Sequence, residues 1–280
     1  MTKSRLGLSL VIPVYNEEHH LRECLDAIAL QTDKPDEVLV VDNNSTDKTV
    51  EIAKSYPFVT LLTEKYQGVL PTRNTGFNAA KHEIIGRIDA DTQLAPAWVK
   101  EVKKLFAKAD AAAATGPVFF YDMPLGRYNY VAEHAFKQLL YKYNKGFPFL
   151  LGANMAIRKT AWEKVKPDLC EDNTIFEDMD LAIHLYRRKL KIVYDSKIRA
   201  GASSRRFDDR PKDFVRYINM NQKTFAKHKM RPAGVGVAIS AYTMGYLLLG
   251  PVRRSYDPKR GKRTLKQLFV GNKPRKNPMG

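Results

Sequence analysis

Apolar runs alternate with helical patterns along the first third of the 280-residue chain, and this alternation constrains the fold more than any other feature. The runs typical of buried strands cover Leu8–Val14, Glu37–Val41, Val59–Leu62 and Ile84–Ile88. The segments between them show helical spacing, and the connections are short. Buried strands joined in this way are typical of a doubly wound sheet. The sequence therefore predicts an α/β fold with a mostly parallel sheet flanked by helices.

Polar side chains follow three of these strands where each one leaves the sheet. Tyr15 and Glu17 follow the first strand, Asp42 the second, and Asp89 and Asp91 the fourth. Ligands of open α/β sheets bind beyond the carboxyl ends of the strands, so these side chains are expected to share one site. We expect the carboxylates of Asp89 and Asp91 to point to opposite sides of the chain where it leaves the sheet. Asp91 is therefore expected to face a metal ion, and Asp89 another group such as a ribose hydroxyl.

The motifs that are present or absent limit the ligands that this site is expected to bind. Carboxylate oxygens indicate Mg²⁺ or Mn²⁺, which usually serve bound phosphates. The fingerprint G-x-G-x-x-G is absent after the first strand, and no P-loop motif occurs. A nucleotide can still bind, with Asp42 accepting from the base and Asp89 from the ribose. A sugar-phosphate nucleotidyltransferase is an alternative, but Y-N-E-E at 15–18 replaces the glycine-rich basic loop of that class.

The charge of the chain points to a polyanionic partner, with a formal net charge of +17 and a pI near 9.7. Residues 253–280 carry ten lysines and arginines against Asp257 alone. Such a cluster beside an apolar segment is attracted to an anionic membrane leaflet. A basic nucleic-acid-binding protein is the other alternative, but no recognition motif appears, so we expect no nucleic-acid partner. The two cysteines, Cys24 and Cys170, exclude a disulfide scaffold, and no signal peptide is visible. We therefore expect a cytoplasmic protein, peripheral or anchored at the inner face of the cell membrane.

Four motifs together resemble the family 2 glycosyltransferases, which have the GT-A fold. They are V-I-P-V-Y-N-E-E at 11–18, V-V-D-N-N-S-T-D at 40–47, R-N-T-G at 73–76 and D-A-D at 89–91. The resemblance implies an inverting hexosyltransferase-type enzyme with a nucleotide-diphosphate sugar as donor, UDP-sugars being favoured over GDP-sugars.

The resemblance also implies roles for single residues in the first half. Pro13, Tyr15, Glu17 and Asp42 would surround the nucleotide base, and Asn44 would also bind the substrate. Arg73 and Asp89 would contact the nucleotide. Asp91, with Asp89 beside it, would hold the divalent metal on the diphosphate.

The second half carries two further segments that resemble the family. The segment from Gly152 to Asn154 is similar to the G-x-N segment beneath the donor sugar, where a glycine would allow close backbone approach to the ligand. The pair Glu177-Asp178 is similar to the family's acidic pair, whose aspartate takes the proton of the acceptor hydroxyl. Asp178 is therefore the first candidate for the general base, Glu177 the second and Asp180 the third.

The segment A-S-S-R-R-F at 202–207 supplies the last candidates. Arg205 or Arg206 could reach the diphosphate, because an arginine fork suits phosphate oxygens. The segment contains no histidine that would serve as a third metal ligand. The absence of Q-x-x-R-W argues against a processive polysaccharide synthase.

The C-terminal part divides from the catalytic domain in composition. We expect a nucleotide-sugar transferase domain at 1–210, helices at 211–252 and a basic tail at 253–280. The run from Pro232 to Val252 holds no charge, so membrane contact and burial in a core or oligomer contact both remain open. This part of the chain favours a lipid-linked or cell-surface glycan as the acceptor.

Overall fold

The computed structural model describes residues 6–123, 130–131, 134–135, 137–139, 149–230, 234–257 and 262–266. The strands of the first half are β1 (Leu8–Val14), β2 (Glu37–Asp42), β3 (Val59–Thr63), β4 (Ile84–Arg87), β5 (Gln93–Leu94), β6 (Ala113–Thr115) and β7 (Val118–Phe120). Its helices are α1 (Leu21–Ala29), α2 (Thr49–Lys54), α3 (Val69–Ala79) and α4 (Trp98–Lys108).

The second half adds short strands and longer helices. The strands are β8 (Met155–Arg158), β9 (Ile192–Tyr194), β10 (Ala200–Ala202), β11 (Tyr256–Asp257) and β12 (Lys262–Arg263). The helices are α5 (Lys159–Val165), α6 (Glu177–Arg187), α7 (Pro211–Lys227) and α8 (Gly234–Arg254), with 3₁₀ turns at Lys166–Asp168 and Arg205–Asp208.

Seven strands form the central sheet in the order β3-β2-β1-β4-β8-β6-β9. Every pairing is parallel except those of β8, which runs antiparallel to both β4 and β6. Because β1 lies between β2 and β4, the carboxyl ends of these three strands meet at one edge. The prediction of a doubly wound, mostly parallel α/β sheet is confirmed.

The two faces of the sheet bury separate apolar clusters, as the period of two along a strand requires. In β1, Leu8, Leu10 and Ile12 pack on one face with residues of α1 and α4, including Trp98. Val11 points to the other face, in the cluster that contains Phe77, Trp162 and Leu181. Helices therefore cover both faces, which is why β1 is a nearly continuous apolar run.

One expected strand is divided. The apolar run Ala111–Phe120 predicts a single strand, but the structure places β6 in the central sheet and β7 in a second sheet of order β5-β10-β7. The chain bends at Gly116, where a Cβ atom would lie 1.8 Å from the carbonyl oxygen of Ile198. Only glycine permits this approach, and the bend brings β7 and β10 to one side of the site.

The two C-terminal helices pack against the catalytic part of the chain. Phe214 of α7 stacks on Tyr246 of α8 with ring centroids 4.0 Å apart, and the Tyr246 hydroxyl donates to the carbonyl of Asp209 at 2.8 Å. Within the described ranges, no helix combines the length and hydropathy needed to cross a bilayer. Within the uncharged run, the described residues 234–252 are helical, packed on one side and exposed at several apolar residues on the other.

Arg253, the first residue of the expected basic tail, is buried. Its side chain is 2% exposed, and its guanidinium lies 3.2 Å from Asp122 Oδ2 and 3.1 Å from Asp208 Oδ2. Two buried carboxylates therefore hold this charge inside the protein. The expected tail otherwise lies mostly outside the described residues, with 258–261 and 267–280 not described.

Candidate active site

A cavity of about 1050 Å³ opens at the carboxyl ends of β1 and β4. It is also lined by the start of α6, by residues 202–207 and by residues of α7 and α8. Of the residues predicted for the site, those in its wall are Pro13, Tyr15, Glu17, Asp89, Asp91, Gly152, Glu177, Asp178 and Arg205. The structure thus brings Asp91 and Asp178 into one cavity.

Arg205 joins two acidic residues at the floor of this cavity. Its Nη1 and Nη2 donate to the two carboxylate oxygens of Glu17 at 2.7 and 2.8 Å, and its Nε lies 2.7 Å from Asp91 Oδ2. Burial lowers the pKa of Arg205, but Asp91 and Glu17 outweigh burial and raise it above its usual value. The guanidinium therefore stays charged between the two carboxylates.

A second arginine, Arg87 of β4, lies between Asp89 and Glu177 in the cavity. Its Nη2 lies 2.9 Å from Asp89 Oδ1 and 3.1 Å from Glu177 Oε1. Asp89 and Asp91 thus face different cations. The chain turns at Ala90 and Asp91, where the Thr92 N–H donates to the carbonyl of Asp89 at 3.0 Å, so the same-side arrangement of residues i and i+2 in an extended strand does not hold here. A Cβ atom at Gly152 would lie 1.1 Å from Arg87 Nη1. Glycine is therefore needed at this position because the Arg87 guanidinium occupies the space of a side chain.

Asp178 lies in the first turn of α6, with its carboxylate held by backbone donors. Oδ2 accepts from the Gly152 N–H at 2.7 Å, and Oδ1 accepts from the Met179 N–H at 2.7 Å. Removal from water and the neighbouring Glu177 raise the pKa of Asp178 to about 7. A carboxylate with such a pKa can accept a proton near neutral pH, as a general base requires.

The donor set at the strand ends fits a divalent cation. Asp91 is 8% exposed and offers hard carboxylate oxygens to the cavity. The Arg205 guanidinium already stands against Asp91, which shows that this position holds positive charge. Asp89 turns toward Arg87 instead, so Asp91 is the better placed of the two predicted ligands.

Two predicted substrate-binding residues, Arg73 and Asn154, are buried and use their polar side-chain groups within the protein. Arg73 is 1% exposed, and its Nη1 donates to the carbonyl of Glu177 at 2.8 Å from behind the cavity wall. Burial lowers its pKa to about 10. Asn154 is fully buried, with its Oδ1 accepting from Trp98 Nε1 at 2.7 Å. Its Nδ2 donates to the carbonyls of Pro117 and Ile198, so its side-chain hydrogen-bonding groups are already engaged within the protein.

The loop after β2 presents a different asparagine from the one expected. Asn44, at φ 64°, is exposed and donates to the carbonyl of Lys65 at 3.0 Å, away from the cavity. Asn43 lines the cavity, and its Oδ1 accepts from the Gly68 N–H at 2.8 Å. Asp42 is 6% exposed behind Asn43 and lies 3.3 Å from the Ser45 N–H. Asn43, and not Asn44, is therefore the asparagine of this loop that lies at the cavity.

Sequence reasoning missed several groups besides Asn43. Arg87 was visible only as a charged residue inside an otherwise apolar strand, which is a signal in retrospect. His20 lies near Arg205 and Asp91, and burial followed by the charge of Arg205 lowers its pKa to about 4. His20 is therefore neutral at pH 7, so it adds no positive charge to this part of the site.

One part of the cavity wall, called here the apolar half, is aromatic and apolar. It includes Phe176, Tyr217, Tyr242 and Leu249. The Arg206 guanidinium lies 3.9 Å from the centroid of the Tyr217 ring, a cation–π contact. Arg206 thus contacts the apolar half, whereas Arg205 contacts the acidic residues Glu17 and Asp91. The cavity accordingly has a charged half and an apolar half.

Comparison with known proteins gives several relatives that are named as glycosyltransferases. The chain is 25% identical over 221 residues to the glycosyltransferase GlyA of Streptococcus pneumoniae, a match that covers 71% of this chain and 31% of that protein. The chain thus spans about a third of the length of this curated relative.

Two solved structures share the fold. The mannosyltransferase PcManGT of Pyrobaculum calidifontis, solved with GDP-Man and Mn²⁺, matches 96% of this chain and 74% of its own at 19% identity and a TM-score of 0.63. The glucosyl-3-phosphoglycerate synthase of Mycobacterium tuberculosis, solved with Mn²⁺, UDP and phosphoglyceric acid, matches 82% and 81% at 17% identity and a TM-score of 0.57. The model of the glycosyl transferase family 2 matches residues 9–166, more than half of the chain. The chain therefore belongs to glycosyl transferase family 2 and has the GT-A fold.

Proposed function

We propose that the protein is an inverting glycosyltransferase that moves a hexose from a nucleotide-diphosphate sugar to a hydroxyl group. The observation that carries this proposal is the shared cavity, in which the strand-end carboxylates Asp89 and Asp91 face the pair Glu177–Asp178. Its volume of about 1050 Å³ is at the upper end of ordinary ligand pockets, so it can hold a sugar nucleotide and part of an acceptor.

The charged half of the cavity suits the donor. Pro13, Tyr15 and Asn43 would border the base, and the Arg205 fork suits the oxygens of a diphosphate. Bound at Asp91, Mg²⁺ or Mn²⁺ would offset the negative charge that develops on the departing diphosphate. The two solved neighbours hold GDP-Man or UDP together with Mn²⁺, which supports this donor class without selecting the base.

Asp178 is the general base in this proposal. Glu177 is held by the Arg87 guanidinium at 3.1 Å. Among the described residues, the hydrogen bonds to the Asp178 carboxylate come from the backbone N–H groups of Gly152 and Met179, each at 2.7 Å. The acceptor hydroxyl oxygen would bond to the anomeric carbon as the bond to the diphosphate oxygen breaks, and Asp178 would take the hydroxyl proton. A single displacement of this kind inverts the anomeric centre and releases a nucleoside diphosphate.

The acceptor proposed is a lipid-linked or cell-surface glycan at an anionic membrane surface. Leu247 and Leu248 of α8 are 63% and 64% exposed, and the same helix contributes Tyr242 to the apolar half of the cavity. Beside it, α7 exposes basic residues around a surface hollow of about 530 Å³: Arg210, Lys212, Arg216 and Lys223. Exposed apolar residues flanked by positive charge suit an anionic leaflet, so the protein is proposed to be peripheral at the inner face of the cell membrane.

One set of measurements tests both the nucleotide-sugar donor and the role of Asp178 as general base. Thermal shifts with UDP or GDP, each with and without Mn²⁺, should show metal-dependent stabilisation by one nucleotide. Asp178→Asn should retain that stabilisation and lose transfer by at least about 100-fold, whereas Asp110→Asn, at an exposed position, should leave both unchanged. Stabilisation by neither nucleotide contradicts the donor class, and near-normal turnover in Asp178→Asn contradicts the base.

The membrane proposal has its own assay. The full-length protein should float at low salt with vesicles that contain phosphatidylglycerol and remain behind with vesicles of phosphatidylcholine alone. The double variant Leu247→Glu, Leu248→Glu should lose this binding. Leu30→Glu, a control at a residue 74% exposed after α1, should keep it. Equal flotation of the two variants would exclude α8 as the membrane contact.

A further inference from the structure

Four side chains with metal-binding atoms meet behind the pair Glu177–Asp178. They are Cys170, Asp180, His184 and His228, and one ligand atom from each lies within 4.8 Å of the others. None of the four belongs to the cavity wall described above. Asp180, His184 and His228 are buried, and Cys170 is partly buried. This group is therefore separate from the carboxylates at the strand ends.

The hydrogen bonds inside the group leave one nitrogen unsatisfied. His228 Nε2 lies 2.6 Å from Asp180 Oδ1, and the Cys170 N–H donates to Asp180 Oδ2 at 3.0 Å. His184 is 9% exposed, and its buried Nε2 makes no hydrogen bond with any described residue, at 3.5 Å from Asp180 Oδ1. Buried polar atoms are nearly always satisfied, so a buried imidazole nitrogen without a hydrogen bond, in a group with Asp180, His228 and Cys170, indicates a missing ligand.

The chemistry of the donor set selects the cation. One thiolate sulfur, two imidazole nitrogens and one carboxylate oxygen form a mixed set that suits Zn²⁺, whereas Mg²⁺ and Mn²⁺ prefer oxygen ligands. Bonds of about 2.0–2.3 Å in a tetrahedral site separate neighbouring ligand atoms by roughly 3.3–3.8 Å. The ligand atoms lie within 4.8 Å of one another, so the most distant pair would have to approach by about 1 Å to bind zinc. His228 Nε2 and Asp180 Oδ1, now 2.6 Å apart, would have to separate by less than that.

We propose that Cys170, Asp180, His184 and His228 form a structural Zn²⁺ site. Four protein ligands leave no open coordination position, which is the character of a structural rather than a catalytic zinc. The cation would join three separate parts of the chain: the segment after the turn Lys166–Asp168, helix α6, and the residue that follows α7. Because α6 begins with Glu177 and Asp178, the zinc holds in place the helix that carries the acidic pair.

Metal content is the direct test. The full-length protein, incubated with equimolar Zn²⁺ and dialysed, should contain about one zinc per chain by mass spectrometry. Cys170→Ser and His184→Ala should each lower this content at least about tenfold. The matched controls are Cys24→Ser, at the other free cysteine, and His19→Ala, at a histidine with a side chain 66% exposed. A wild-type protein without zinc, or ligand variants that retain as much zinc as the controls, would overturn the proposal.

A measurement on the unaltered protein covers the case in which a ligand variant fails to fold. Co²⁺ added to the metal-free chain should give the near-ultraviolet charge-transfer absorption of a cobalt–thiolate bond. Removal of zinc by a chelator should lower Tm by at least about 5 °C, and Zn²⁺ but not Mn²⁺ should restore it. Absence of the thiolate band, or equal rescue by Mn²⁺, would refute the site. These results do not depend on whether the protein transfers a sugar.

Discussion

Removal of the Arg205 guanidinium should destabilise the protein and make it more responsive to a divalent cation. Arg205 is the shared partner of Glu17 and Asp91, whose residues are 4% and 8% exposed. In Arg205→Ala both carboxylates remain buried without that cation. Two unit charges about 4 Å apart interact by about 4 kcal/mol at an effective dielectric constant of 20. Breaking a buried pair typically costs about 3–5 kcal/mol, which agrees with this value.

The expected shift in Tm follows from that energy. For a chain of this size, about 1 kcal/mol corresponds to about 2–4 °C, so Arg205→Ala should melt about 10 °C below the wild type. Mn²⁺ must compete with the guanidinium for Asp91 in the wild type but not in the variant. If Mn²⁺ binds the variant about tenfold more tightly than the wild type, saturating Mn²⁺ should raise the free energy of unfolding of the variant by about 1.4 kcal/mol more than that of the wild type.

Differential scanning fluorimetry over a Mn²⁺ titration measures both effects. Arg188→Ala is the matched control, because Arg188 pairs with Asp168 at a site where both side chains are at least 39% exposed. The free energy of unfolding of this control should change by no more than an exposed ion pair contributes, about 1 kcal/mol, so its Tm should shift by no more than about 2–4 °C. An equal response to Mn²⁺ in the wild type and in Arg205→Ala would refute the idea that Arg205 occupies the place of the cation.

Three further predictions concern the supports of the site and the fold. Gly152→Ala should displace the Arg87 guanidinium, lower stability by about 1–3 kcal/mol in chemical denaturation and reduce turnover. Gly236→Ala, in helix α8 with open space around its Cβ, should leave turnover unchanged and should not lower stability. Asn154→Ala should cost about 3 kcal/mol in the same assay, because it leaves Trp98 Nε1 and two carbonyls unpaired in the core, and a loss below about 1 kcal/mol would contradict this role. Burial raises the pKa of Asp36, but the Lys103 ammonium 2.7 Å away brings it below its usual value. The stability from this pair is therefore present at neutral pH and lost as the pH falls through that lowered pKa, so the difference in Tm between Asp36→Asn and the wild type should disappear in acid.

The fold was accessible from the sequence because its signals are local. The apolar run of β1 was predicted with the bounds Leu8–Val14 that the structure has. A strand that lies between parallel neighbours is buried on both faces and therefore needs a continuous apolar run. Polar residues at the carboxyl ends of such strands lie together at one edge of the sheet. The division of 111–120 was not accessible in this way. It depends on Gly116 lying against the carbonyl of Ile198, a residue distant in the sequence.

The site was less accessible, because a motif gives the position of a side chain but not its direction. Arg73 and Asn154 stand at positions that the resemblance assigns to the substrate, yet both side chains are fully engaged in the core. Arg87 reaches its partners only because β8 pairs beside β4 and Gly152 leaves room for the guanidinium. The zinc-binding group has one local signal, the spacing of Asp180 and His184 on one helix face.

Arg253 has a practical consequence for anyone who shortens this chain. Its guanidinium neutralises Asp122 and Asp208 from the last turn of α8, so deletion of that helix would take away their buried counter-charge. A truncated protein that fails to reach vesicles could simply be misfolded around those two acids. Substitutions that introduce charge on the exposed face of α8, such as Leu247→Glu and Leu248→Glu, leave the contacts of Arg253 with Asp122 and Asp208 in place. They therefore test what that helix contacts without removing the buried counter-charge.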